Sequence, residues 1–111
     1  MSWDIWFEVD LGGPKPLEVG ESFNYTSNVG PMIDLCDKGF NFKYLDGKHA
    51  EILGACISVI INFLEDEANL EALTKLEPDN GWGSRVDFVS WLKKLNRQCL
   101  EMPKAVVRVW V

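Results

Sequence analysis

The chain is poor in the residues that most active sites are built from. It has one histidine, His49, and three cysteines, Cys36, Cys56 and Cys99, spaced far apart with no Cys-x-x-Cys pair. Neither a zinc site nor a dithiol redox centre is spelled out by that spacing. Each cysteine lies in an apolar helical context, so all three are expected to be buried free thiols, as suits a reducing cytoplasm. No Walker loop and no dinucleotide fingerprint occurs, and no cofactor is expected. The longest apolar run, Ile57 to Ile61 with Ser58 inside it, is far too short to span a bilayer. The start, Trp3-Asp4-Ile5-Trp6, lacks a basic region followed by an apolar run, so no secretion signal is expected, and the sequon at Asn24-Tyr25-Thr26 then carries no meaning. Basic residues are also scarce, 11 Lys and Arg against 17 Asp and Glu, which argues against non-specific nucleic-acid binding.

What is present suits one packed domain spanning residues 1–111, because 47% of the residues are hydrophobic. Charge is unevenly spread. Residues 1–79 hold 15 acids and 5 bases, a net −10, while residues 80–111 hold 2 acids and 6 bases, a net +4. An acidic body permits a protein partner with a basic groove, and the basic last third suits a small anion.

Periodicity gives the fold. Trp3, Ile5, Phe7 and Val9 alternate with Asp4, Trp6 and Glu8, the pattern of a strand with one core face. Asp10 to Pro16 is a glycine- and proline-rich turn, and Leu17 to Tyr25 reads as a second strand, paired in a hairpin with an irregular tip or bulge. Pro31 to Asp37 reads as a short helix with Met32, Ile33, Leu35 and Cys36 on its apolar side, ended by Gly39. The alternation of Phe40, Phe42 and Tyr44 fits either a short strand or a crossing segment. A long helix over 48–67, capped by Asp46, is apolar nearly all round and is expected to be the most buried helix or an oligomer contact. A short helix from Asn69 to Leu76 follows. Ser84 with Asp87 three residues on opens a last helix to about Glu101, with the stripe Phe88, Trp91, Leu92, Leu95 and Cys99. Ala105 to Val111 is a final strand. The expected architecture is α+β: a small antiparallel or mixed sheet of the N-terminal hairpin and the C-terminal strand, with about three helices on one face. Its other face would carry Trp6 and Trp110, which invites a homodimer, a higher oligomer or a partner surface.

The candidate site is the polar run Asn24, Tyr25, Thr26, Ser27 and Asn28, which leads into the helix opened by Pro31. Asn28 or Ser27 would cap that helix, whose free N–H groups would attract an anion. The loop Asn80-Gly81-Trp82-Gly83 would bring Trp82 either to stack on a planar ring, with Asn80 beside it and Arg97 near a phosphate, or to plug the core beneath the loop. Thr26 and Ser27 have no base other than His49, which stands at a helix start where capping or surface roles are commoner, and Glu65-Asp66-Glu67 reads as a solvated helix end.

Asn24-Tyr25-Thr26-Ser27-Asn28 followed by Pro31-Met32, then Leu45-Asp46-Gly47, then Asn80-Gly81-Trp82-Gly83, resembles a family of small uncharacterised proteins from bacteriophages and bacteria, often actinobacterial. The chain departs from that pattern at Ile33, where an aromatic residue is common, and at Ser84-Arg85-Val86-Asp87, where Asp-Tyr-Glu-Gly is frequent. The resemblance implies a phage-like setting in a host cytoplasm and no particular reaction. The leading expectation is a non-enzymatic, counter-defence binding protein that sequesters a small anionic, nucleotide-like ligand. Its rivals are an acidic inhibitor of a host defence nuclease or CRISPR-type effector, and a small hydrolase.

Overall fold

The computed structural model describes residues 2–78 and 83–111. The fold is α+β. Strands β1 (Ser2–Val9), β2 (Leu17–Thr26) and β3 (Val106–Trp110) form one antiparallel sheet in the order β2-β1-β3. Helices α1 (Gly30–Cys36), α2 (Ala50–Glu65), α3 (Leu70–Thr74) and α4 (Arg85–Glu101) complete it. As the alternation requires, Trp3, Ile5 and Phe7 face the helices and are buried, joined by Phe23 from β2 and by Val107 and Val109 from β3. None of the helices among the described residues is long and apolar enough to cross a membrane.

The hairpin is irregular within β2. Ile5 pairs with Phe23 but Phe7 pairs with Val19, so Gly20, Glu21 and Ser22 stand opposite Trp6 alone. Gly20 holds φ at +68°, and a Cβ there would collide with Met102 and lie 2.6 Å from Gln98 Oε1. Only glycine lets the strand press so closely on the end of α4. Gln98 uses that proximity: Glu21 N–H donates to its Oε1 at 2.8 Å and its Nε2 donates to Glu21 O at 2.8 Å. This buried amide acts as a strand partner for the bulged stretch of an edge strand. Beyond the bulge, residues 10–18 are all exposed and lengthen the molecule to 49 Å against 24 and 22 Å across.

The other sheet edge is closed by residues 46–49. Gly47 N–H donates to Val107 O at 2.7 Å, Val107 N–H to Lys48 O at 2.8 Å, and His49 bridges Val106. This corrects the expected start of the long helix. Because the chain stays extended along β3, α2 begins at Ala50 with His49 as N-cap, and His49 makes no side-chain cap bond. The first helical N–H groups are satisfied by backbone instead: Ala50 donates to Ala105 O at 2.8 Å and Glu51 to Pro103 O at 3.0 Å. Asp46 caps nothing. Its Oδ1 accepts from Val109 N–H and from Arg108 Nε, both at 2.9 Å. By contrast, Ser84 Oγ accepts from Asp87 N–H at 3.1 Å, the expected cap of α4.

The open reading of the next segment is decided: residues Phe42–Leu45 form a 3-10 turn capped by Asn41 and no strand, which buries Phe42 and Leu45 and leaves Tyr44 outside. The long helix is not enclosed. Its inner face, including Leu53, Ile57, Ile60 and Leu64, is buried, but Ile52 is 45% and Val59 63% exposed. Cysteine burial is also uneven: all three thiols are free, yet only Cys99 is buried, while Cys36 and Cys56 are half-buried.

Candidate functional site

The polar run does not converge on one place, because strand alternation divides it. Asn24 faces the sheet side away from the helices, where its Nδ2 donates to Asp4 Oδ1 at 2.7 Å and Ser2 Oγ at 3.3 Å. Tyr25 points to the other side, opposite Trp3, with its ring 5.1 Å from Trp91 and 5.4 Å from Phe88. Burial raises the phenol's pKa, and the Asp87 carboxylate adds to the shift. Thr26 Oγ1 accepts from Asn28 N–H at 3.3 Å and so caps the 3-10 turn Ser27–Val29. That turn corrects the expected cap of α1: neither Ser27 nor Asn28 caps it. Val29 is the N-cap and makes no side-chain bond, since the chain enters the helix already coiled. Ser27 is half-buried and lines a small depression of about 170 Å³ with Trp3, Ile33 and Phe42.

Asn80 and Trp82 lie outside the described residues. Gly83, the last residue of their motif, is described. It holds φ at +99°, and a Cβ there would stand 2.8 Å from Val29, 3.1 Å from Thr26 and 3.6 Å from Tyr25. Gly83 thus packs directly against the end of the polar run. Around this junction Trp3, Tyr25, Phe42, Phe88 and Trp91 form one aromatic cluster, with ring centroids 4.9–6.4 Å apart. Trp91 and Phe88 were legible as the stripe of α4. Their contact with Tyr25 follows from extending the period-2 pattern of β2 one residue further.

Arg97 lies on the exposed side of α4. With Lys94 it lines two adjoining depressions, one of about 490 Å³ that includes Arg85, Ser90 and Lys93, the other of about 680 Å³ beside Gly20 and Gln98. Lys93 is engaged with Glu65 at 2.9 Å and Arg85 donates to Leu64 O at 3.0 Å, which leaves Lys94 and Arg97 as the cations of these depressions with no side-chain bond among the described residues.

The sheet side away from the helices is the second candidate surface. Among the described residues no helix packs on it. Trp110 is 69% exposed and lies diagonal to half-buried Trp6, whose Nε1 donates to Glu8 Oε2 at 3.2 Å. Glu8 lies directly opposite Glu18, a like-charge pair that disfavours the sheet. Arg108 reaches Glu8 at 3.5 Å and Asp46 at 2.9 Å, one cation between two carboxylates. The Asp46 carboxyl is held below its usual range, first by the Val109 N–H and then by Arg108. With Asp4 and Glu18 added, this surface has four acids to one base.

Among the described residues no group of three His, Cys, Asp or Glu side chains could hold a metal ion. Comparison with protein-family models, with curated proteins and with solved structures finds no match to this chain.

Proposed function

We propose that the chain is a non-enzymatic binding protein that docks on a basic region of another protein through the uncovered side of its sheet. The observation that carries this reading is Trp110, 69% exposed beside Trp6 in a field of carboxylates from Asp4, Glu8, Glu18 and Asp46. Exposed indoles offer area and cation–π contact to Arg or Lys, and an arginine set between Glu8 and Glu18 would relieve their repulsion. The motif resemblance adds the setting: a phage-derived counter-defence protein whose partner is a host nuclease or CRISPR-type effector.

The test uses oligo-arginine and oligo-glutamate peptides with two-dimensional NMR of the backbone amide and tryptophan indole N–H groups. Oligo-arginine should shift the Trp6 and Trp110 signals, weaken in its effect as salt rises, and lose it in Trp110→Ala; oligo-glutamate should do nothing. Shifts confined to the Glu65–Glu71 region would move the docking surface elsewhere and sink this reading.

A second reading, sequestration of a small nucleotide-like anion, is favoured by Lys94 and Arg97 standing between two depressions. Calorimetry against a nucleotide panel tests it. Binding should disappear in Lys94→Glu with Arg97→Glu, and the ligand should be recovered intact.

A further inference from the structure

The molecule carries two surfaces of opposite charge on different sides. The uncovered side of the sheet holds four acids, Asp4, Glu8, Glu18 and Asp46, and one base, Arg108, a local net of −3. Glu18 has no side-chain bond among the described residues and lies opposite Glu8. Helix α4 packs on the other side of the sheet, and its outer side is the reverse. The depression of about 490 Å³ there is lined by four bases, Arg85, Lys93, Lys94 and Arg97, and one acid, Glu65, a local net of +3. Residues 88–100 contain no acid at all. Each surface thus holds the charge that the other lacks.

The shapes fit as the charges do. Trp110 stands out from the sheet at 69% exposure, with Trp6 and Arg108 beside it. The α4 depression has the volume of a small-ligand pocket, room for one indole, and Val86, 64% exposed, lines it among the cations. An indole seated there meets Lys94 and Arg97 as cation–π partners and Val86 as an apolar contact. We propose that copies of this chain associate head to tail, the Trp110 side of one sheet seated on the α4 depression of a second copy. The inference rests on the reading that the sheet side docks basic surfaces, and it makes a second copy the occupant while no other partner is present. Such a contact is heterologous: each copy uses two different surfaces, so copies add on until a ring closes. The five residues of β3 span about 17 Å and three strands about 14 Å. A patch of that size is at the small end of interfaces, so the association is weak, with a dissociation constant of about 0.1 mM, and a partner richer in arginine displaces it.

Sedimentation velocity of the full chain, with thermal melting in parallel, tests this. At about 20 mM salt the sedimentation coefficient should rise with protein concentration, and at about 0.5 M salt it should return to the monomer value. Two variants each remove one surface: Lys94→Glu with Arg97→Glu, and Glu18→Lys with Trp110→Ala. All four positions are exposed, so both variants should melt within a few degrees of the parent. Each alone should stay monomeric, while their mixture should form a one-to-one dimer that grows no further, because only one intact contact remains between them. If either variant melts early, Ser90→Glu and Trp110→Ala alone take their places in the mixing. A parent that is monomeric at low salt up to about 1 mM, a variant that associates like the parent, or a mixture of folded variants that stays monomeric would overturn the proposal. The oligo-arginine titration separates this contact from the docking reading. A shifted Trp110 signal with a monomeric parent sinks only the head-to-tail contact, and a one-to-one dimer without any oligo-arginine effect sinks only docking on a separate basic partner.

Discussion

The two long helices are nearly equal in length and differ in the charge they show to solvent. Helix α2 has 16 residues and buries seven; α4 has 17 and buries six. They pack on each other and share one core, so their inner faces do the same job. Outside, α2 shows Ile52, Ala55 and Val59 beside the uncharged Ser58 and Asn62, whereas α4 shows Val86 and Leu100 among Asp87, Ser90, Lys93, Lys94 and Arg97. Their ends differ as well. Ser84 caps α4 with its side chain, while α2 borrows the carbonyls of residues 103 and 105. Inner faces therefore specify the fold, and the outer faces are where two otherwise similar helices differ: charge is concentrated along α4, while the middle of α2 carries none.

The largest expected effect would break the claim that the inner faces are equivalent. Ile57→Ala and Leu92→Ala both empty fully buried positions and should each cost about 2–5 kcal/mol in urea unfolding. If Ile57→Ala costs less than about 1 kcal/mol, α2 is not a core helix on a par with α4.

Gln98 is the one polar side chain buried on the inner face of α4 among the described residues. Gln98→Leu keeps the volume but strips Glu21 of both backbone partners. It should cost about 2 kcal/mol and speed amide exchange at Glu21. An unchanged exchange rate would show that water replaces the amide without loss.

The helix ends give the third contrast. Ser84→Ala should destabilise by about 1 kcal/mol, whereas His49→Ala at the equivalent position of α2 should stay within about 0.5 kcal/mol. Equal losses in chemical denaturation would mean that His49 contributes to the α2 start in a way its bonds do not show.

The smallest effect concerns Asp46, which anchors the approach to α2. Its carboxyl titrates below the ordinary value of 3.8 in the folded chain. The stability this contributes is present above that ordinary value and is lost as pH falls through the lowered one. Asp46→Asn should flatten that part of the acid branch of a melting-temperature profile. At neutral pH it should cost only about 0.5–1 kcal/mol, because the ion pair is partly exposed and screened. A profile that keeps its full acid slope would assign that slope to other carboxylates.

Much of this molecule is local and was legible. The alternation of Trp3 to Val9, the turn residues 10–16, the Ser84 cap and the stripe Phe88–Leu92–Leu95–Cys99 place both hairpin strands and α4, because backbone period and capping chemistry act over a few residues. The candidate site was less legible. Asn24 to Asn28 looks like one polar cluster along the chain, yet a period of two sends Asn24 and Tyr25 to opposite sides. That division was readable in principle; the 3-10 turn over Ser27–Val29 was not.

The sequence by itself determined the α+β class, the two sides of β1 and the inner face of each long helix, since hydrophobic period needs no distant partner. Only the tertiary structure decided that Asp46 bonds β3 instead of capping α2, that Gln98 pairs with a strand 77 residues away, and that one side of α2 has no cover. Those outcomes depend on which segments arrive beside one another. Asp46 could satisfy a helix N-terminus or a strand N–H, and the choice went to the edge of β3 because residues 46–49 had to close it.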